Sequence, residues 1–312
     1  MSSKITNKLK EILQKIHMIG FSGMSLYDLG ALYWEGIFKG AITMRASAIS
    51  YSFFMAIFPF LLFALSLIPL IPIVDFQTDF IAFIHDIIPP KTFDVIDNVI
   101  YDIATKPKAG LLSISIVLSV LFMTNGVNAI LTGFEESIHK FIDRRNLFRQ
   151  YFVALGLSLT LVLILFLTVI AIIYFEIIVV YHLKKSGLIH DEFFWVNLGK
   201  NTFYIAMMLI SASLLYYFGT KEGKRLRFIS PGSIITTILA IVIFYFFQIY
   251  IDHFAKYNQL YGSIGAFLII MLMIWLNALV LLLGHELNMA ILKYKNVEKQ
   301  NFFGNKIKNT YL

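Results

Sequence analysis

The sequence predicts an all-α, polytopic membrane protein with six transmembrane helices, and three observations carry that prediction. The 312 residues are 58% apolar and only 14% charged, whereas a soluble domain is about half apolar and about a quarter charged. Six long stretches contain no Asp, Glu, Lys or Arg. These stretches are apolar on every side instead of alternating. They therefore fit helices, which satisfy their backbone within the segment, and not barrel strands of about 10 alternating residues.

A helix rising about 1.5 Å per residue needs about 20 apolar residues to cross a hydrocarbon core of about 30 Å. The candidates are residues 46–74, 109–134, 151–175, 201–220, 228–251 and 257–284, the last continuing toward residue 292. Span four is the shortest and carries several Ser. The membrane domain is thus 46–292, between an N-terminal segment 1–45 and a basic tail 293–312. No long apolar core precedes residue 46, so the first span is expected to act as its own signal.

Nineteen of the 26 Lys and Arg lie in residues 1–45, 135–150, 221–227 and beyond 284, and seven lie in the opposite loops. Because cytoplasmic loops retain positive charge, both termini are expected in the cytoplasm. The net charge of +7 is then a topology signature and not a sign of nucleic-acid binding. Its remaining use is attraction to anionic lipid heads. Cys is absent, and the seven His show no ligand spacing, so no disulfide, metal or other cofactor is expected. Gly219 to Lys224 is one residue short of a phosphate-binding loop, which argues against an ATP-driven mechanism.

Residues 25–40 place Asp28, Leu32, Glu35 and Lys39 on one helical face, which predicts an interfacial amphipathic helix anchored by Trp34 and Tyr33. The outer loop 75–108 predicts two more such helices interrupted at Pro89–Pro90, with acidic outer faces.

Polar groups at membrane depth are costly and mark function. Asn125, Asn128, Thr132 and Glu135 form one stripe on span two, beside the small residues Gly126, Ala129 and Gly133 that suit close helix approach. The polar stripe is either glue between helices or the wall of a cavity opening toward the cytoplasm. On span one Arg45, Ala48, Ser52, Ala56 and Pro59 share a face, with Pro59 bending the helix. On the last span Asn277, Leu281, Gly284 and Asn288 share a stripe while Glu286 points nearly the other way; Gly262 and Gly265 begin that helix with close packing. Arg45, Glu135 and Glu286 all lie near one membrane face, which predicts an ion pair from Arg45 to one of the two glutamates.

Three blocks resemble the YihY/BrkB family of bacterial inner-membrane proteins, once labelled ribonuclease BN. They are Arg45 to Tyr51 with Phe58–Pro59, then Asn125 to Asn128 running into Glu135–Glu136 and Arg144–Arg145, and finally Pro231–Gly232 through Tyr261 and Gly265 to Trp275, Asn277, Glu286 and Asn288. His285 stands where a small residue is expected. The resemblance implies six helices, an inner-membrane location and a role in envelope integrity or lipid handling.

The expected function is a non-ATP-driven transporter or translocator of a lipid or other amphiphile, with membrane lipids as partners. The main alternative is a scaffold or accessory subunit working with a second copy or an envelope protein, in which the polar stripes only pack helices. No enzymatic activity is expected. An intramembrane enzyme would use Glu135, Glu286 and His285 as acid–base groups, but no nucleophile beside a base accompanies them. The ribonuclease label finds no support in these residues.

Overall fold

A computed structural model describes residues 25–67, 69, 109–139, 145–186, 192–254 and 263–310. Among them there is no strand, and the helices in chain order are α1 (Leu26–Lys39), α2 (Ile42–Leu67), α3 (Ala109–Glu135), α4 (Leu147–Tyr174), α5 (Tyr181–Lys185), α6 (Glu192–Gly219), α7 (Pro231–Phe254) and α8 (Ser263–Thr310). Six of these helices, α2, α3, α4, α6, α7 and α8, are long and apolar enough to cross a membrane. Much of their apolar surface faces outward: in the most apolar window of α4 only 17% of residues are buried inside the protein. Exposed apolar area on that scale needs a hydrocarbon solvent. The outer-loop helices predicted for 75–108 lie outside the described residues, as does Gly262.

The six helices close into a ring, in which each of the pairs α2–α3, α3–α4, α4–α6, α6–α7, α7–α8 and α8–α2 is in contact. Helix α3 also reaches across the ring to α6 and α8. Its inward residues Val127, Ile130, Leu131 and Phe134 form the centre of the core with Ile49 of α2, Leu215 of α6 and Leu282 of α8.

Local chemistry sets the helix ends. Ser230 and Ser233 exchange side-chain-to-backbone hydrogen bonds of 3.0 and 3.2 Å at the start of α7, a reciprocal cap followed by Pro231 in the first turn. Arg145 donates from Nη1 to the carbonyls of Phe218 (3.0 Å) and Gly219 (2.9 Å), satisfying the orphan C-terminal acceptors of α6.

Several boundaries differ from the sequence expectation. The fourth span, drawn from residue 201, lies in a helix that begins at Glu192. Lys200 bounds that expected span, but its Nζ lies 3.2 Å from Glu176 Oε2 in the π-helical stretch Phe175–Val180 that follows α4, so the charge is matched and the helix continues. The tail beyond 292 is continuous with the last span, since α8 runs unbroken for 48 residues. Helix α1 exposes Trp34 and Phe38, at 64% and 65%, as an anchor should. Tyr33, by contrast, is half-buried against the bundle, and burial beside the Glu286 carboxylate pushes its phenol up to about 12.

Candidate functional site

At the end of the bundle where α2 begins and α3 ends, Arg45 and Glu286 form a buried ion pair. Arg45 is 5% exposed and Glu286 0%. Arg45 Nη2 donates to Glu286 Oε1 at 2.7 Å, and Nη1 donates to the Gly133 carbonyl at 2.7 Å. The second carboxylate oxygen of Glu286 accepts from Ser137 Oγ at 2.8 Å. Every oxygen of the carboxylate is thus occupied, as a buried charge requires.

Helix α1 covers this pair by close backbone approach. A side chain at Gly36 would start 2.9 Å from Glu286 Oε2, and one at Gly40 would start 2.9 Å from Arg45 Nη2. Only glycine at both positions lets α1 lie on the charges. The cover is fastened by His139, whose Nε2 lies 2.8 Å from the Leu32 carbonyl and whose Nδ1 lies 3.2 Å from Lys293 Nζ. Since the ammonium only donates, Nδ1 accepts, and the hydrogen sits on Nε2 and is donated to Leu32. The turn from α1 into α2 passes through Ala41 at φ 47, a left-handed conformation that a non-glycine residue holds at a cost.

On the other side of α8 the start of α7 is pinned by Asn288, which accepts from the Gly232 amide at 2.9 Å and donates to Ser230 Oγ at 2.9 Å. One turn deeper, the Tyr216 hydroxyl donates to the Leu281 carbonyl at 2.7 Å and shares a hydrogen bond with Thr236. Gly284 packs directly on Thr236, Tyr216 and the Gly232 carbonyl, leaving no room for a side chain. His285 fits the position expected to be small by stacking on Phe134, with ring centroids 4.2 Å apart.

Deeper along the helices than the ion pair lie two cavities between the spanning helices. The first, about 250 Å³, is bounded by α2, α3, α6, α7 and α8, and its polar lining is Ser211, Thr236, Thr237 and Asn277. The second, about 300 Å³, lies between α2, α3 and α4, with Ser158 the one polar residue in its lining. Phe53 belongs to both walls.

The structure sorts the residues singled out from sequence into distinct places. The expected ion pair of Arg45 forms with Glu286; Glu135 is also buried, and its charge acts on Arg145. Asn128 and Thr132 both accept from the Gln150 side-chain amide at 3.0 Å, so they join α3 to α4. Asn125 turns outward instead, and neither it nor Asn128, Thr132 or Glu135 lines either cavity. Of the candidate path residues only Asn277 reaches a cavity wall. Tyr51 is 55% exposed on the outer face of α2, while Pro59 is buried within α2. Gly126 and Gly133 receive Phe53 and Ile49 of α2, and Gly265 is buried. Residues that sequence reasoning passed over are Ser137, His139, Gln150, Tyr216, Thr236 and Lys293. A lone Gln at the edge of a span was a usable signal; the turn holding Ser137 and His139 has no periodicity to read.

These features define a multi-pass helical-bundle membrane protein closed at one end by a buried ion pair. The chain belongs to the family described as virulence factor BrkB, whose model matches residues 34–306. A Bacillus subtilis (strain 168) protein named as ribonuclease-like, YfkH, is 24% identical over 269 residues, covering 82% of this chain and 92% of that protein. A UPF0761 membrane protein of Xanthomonas oryzae pv. oryzae (strain PXO99A) is 31% identical over 93 residues, 29% of this chain and 22% of that one. A UPF0761 membrane protein of Xanthomonas campestris pv. campestris (strain 8004) is 29% identical over 93 residues, with the same shares. No solved structure matches the chain.

Proposed function

We propose that the protein is a non-ATP-driven translocator of a lipid or other amphiphile in a bacterial inner membrane, with the Arg45–Glu286 end facing the cytoplasm. One observation supports this most: an apolar cavity of about 250 Å³ bounded by five of the six spanning helices, deeper along α2 and α8 than the buried ion pair. A bundle built only to scaffold other proteins gains nothing from an interior void, whose lining forfeits dispersion contacts. A hydrocarbon-lined cavity suits an acyl chain, and in this reading opening of the buried ion pair under α1 gates the path. The ribonuclease-like name of YfkH is not carried over. Hydrolysis of RNA needs a hydrated, acid–base-competent site, whereas the buried Glu286 carboxylate is taken up by Arg45 and Ser137.

The test is leaflet exchange of fluorescent lipids in proteoliposomes, read as dithionite-accessible signal over time. Exchange above protein-free vesicles, faster still in Arg45→Ala/Glu286→Ala, is the expected result; exchange at the protein-free rate in both overturns the reading. Orientation is checked separately, because the chain has no Cys of its own. A single Lys224→Cys should react with a membrane-impermeant maleimide in inverted vesicles and not in intact cells.

A further inference from the structure

The two cavities and their few polar groups say more about the cargo than its solubility. Among the described residues, no charged side chain lines the first cavity. The buried charges of Arg45 and Glu286 are committed to each other. A phosphate or ammonium head placed there would sit unpaired in a low-dielectric interior, which is prohibitive. Two neutral groups, however, stand ready. Asn277 donates from Nδ2 to the Met273 carbonyl at 2.8 Å, while its Oδ1 has no partner among the described residues. Ser211 likewise makes no side-chain hydrogen bond among the described residues. Together they offer an acceptor and a hydroxyl, the complement of an alcohol or amide head.

The remainder of the space suits a single chain. On α2, Ile49 and Phe53 of the first cavity lie nearer Arg45, and Ala56, Ile57 and Phe60 of the second lie farther from it. The cavities overlap in depth, since the first extends down α8 to Ile274, and they lie side by side with Phe53 in the wall between them. The Phe53 ring rests over Gly126, where a side chain would begin 3.3 Å from two of its ring carbons. The absent side chain at Gly126 is the seat of the ring, which also packs against the core. In the second cavity the Ser158 hydroxyl is already donated to the Leu155 carbonyl at 2.9 Å, and nothing there favours a polar head.

We propose that the two chambers form one site for an uncharged, single-chain amphiphile, with its hydroxyl or amide head at Ser211 and Asn277 and its chain passing Phe53 into the chamber between α2, α3 and α4. This rests on the translocator reading and narrows it. A charged phospholipid is excluded from the site, and Phe53 sets how far a chain reaches.

Two photoactivatable probes with a diazirine at the chain terminus separate the outcomes: a monoacylglycerol and a lysophosphatidic acid of the same chain. Each is incubated with the purified full chain in nanodiscs, and labelled peptides are mapped by mass spectrometry. The monoacylglycerol should label peptides containing Met123 or Leu161 about tenfold more than the phosphate probe does. Asn277→Leu should lower that labelling by about three- to tenfold. Phe53→Trp should abolish labelling of the second chamber; Leu161→Trp fills the same chamber from α4 and serves if the first variant does not fold. Equal labelling by both probes, or second-chamber labelling that survives both Trp variants, overturns the site. Labelling without leaflet exchange overturns the translocator reading while leaving the site standing. Exchange of charged lipids with no labelling does the reverse.

Discussion

The closed end of the bundle and its hollow middle use polar residues in opposite ways. At the closed end the Glu286 carboxylate and the Asn288 carboxamide are fully engaged, and α1 presses two glycines onto the charges. A few residues deeper, Asn277 keeps an acceptor and Ser211 a hydroxyl that no described residue uses, in a lining that is otherwise nearly all apolar. The first arrangement maximises the cost of any change. The second leaves hydrogen-bonding capacity for something that arrives later. Rigidity and receptivity are thus separated along α8, with Asn277 and Glu286 nine residues apart, about 13 Å of helix.

Substitutions that break this contrast should rank accordingly. The largest effect is expected at Glu286→Ala, which strands Arg45 without a counter-charge and should cost about 3–5 kcal/mol, read as lost folded yield and a lower melting temperature in detergent. Arg45→Ala/Glu286→Ala should lose less than the sum of the single variants. The charge-reversed double variant Arg45→Glu/Glu286→Arg tests whether the pair itself is what matters. Next comes Gly284→Val, which forces α7 from α8 at a contact with Thr236, Tyr216 and the Gly232 carbonyl and should cost about 1–3 kcal/mol. Its control is Gly156→Ala in α4, where nothing lies within 4 Å and stability should hold.

Gln150→Leu removes the two hydrogen bonds that Gln150 makes from α4 to α3 and should cost about 0.6–2 kcal/mol by thermal or SDS unfolding. The pH response is smaller still. Tyr33 ionises near 12 in the fold against about 10 in an unfolded chain, so the neutral phenol is favoured by folding. Its contribution is whole below pH 10 and fades as pH rises toward 12. Tyr33→Phe should therefore flatten the decline of melting temperature across that window. Least affected should be Asn277→Leu, whose stability is expected to change by less than about 0.5 kcal/mol because its acceptor is unspent. A large loss there would erase the distinction between the two regions.

Span number and helical class were legible because they depend on length and hydropathy, which no tertiary contact overrides. The Arg45–Glu286 pairing was legible too, since two opposite charges at one membrane face have few other ways to be buried. What sequence could not supply was direction. Asn125 and Asn128 are less than one turn apart, yet Asn128 meets Gln150 while Asn125 faces out, because their roles follow from where α4 lies against α3. Lys200 was read as a boundary for the same reason, as its neutralising partner Glu176 sits on another helix. Gly36 and Gly40 carried no signal at all until α1 was seen resting on the ion pair.

Helix α8 continues for 48 residues, about 72 Å of rod where the hydrocarbon needs about 30 Å. No proline interrupts it. A torque or axial push applied beyond residue 296 is therefore delivered to Lys293, Asn288 and Glu286 within a few turns, the residues that hold α1, α7 and α2 in place. From Glu286 to Thr310 the rod runs a further 24 residues, about 36 Å, so the buried ion pair lies near its middle and not at its end.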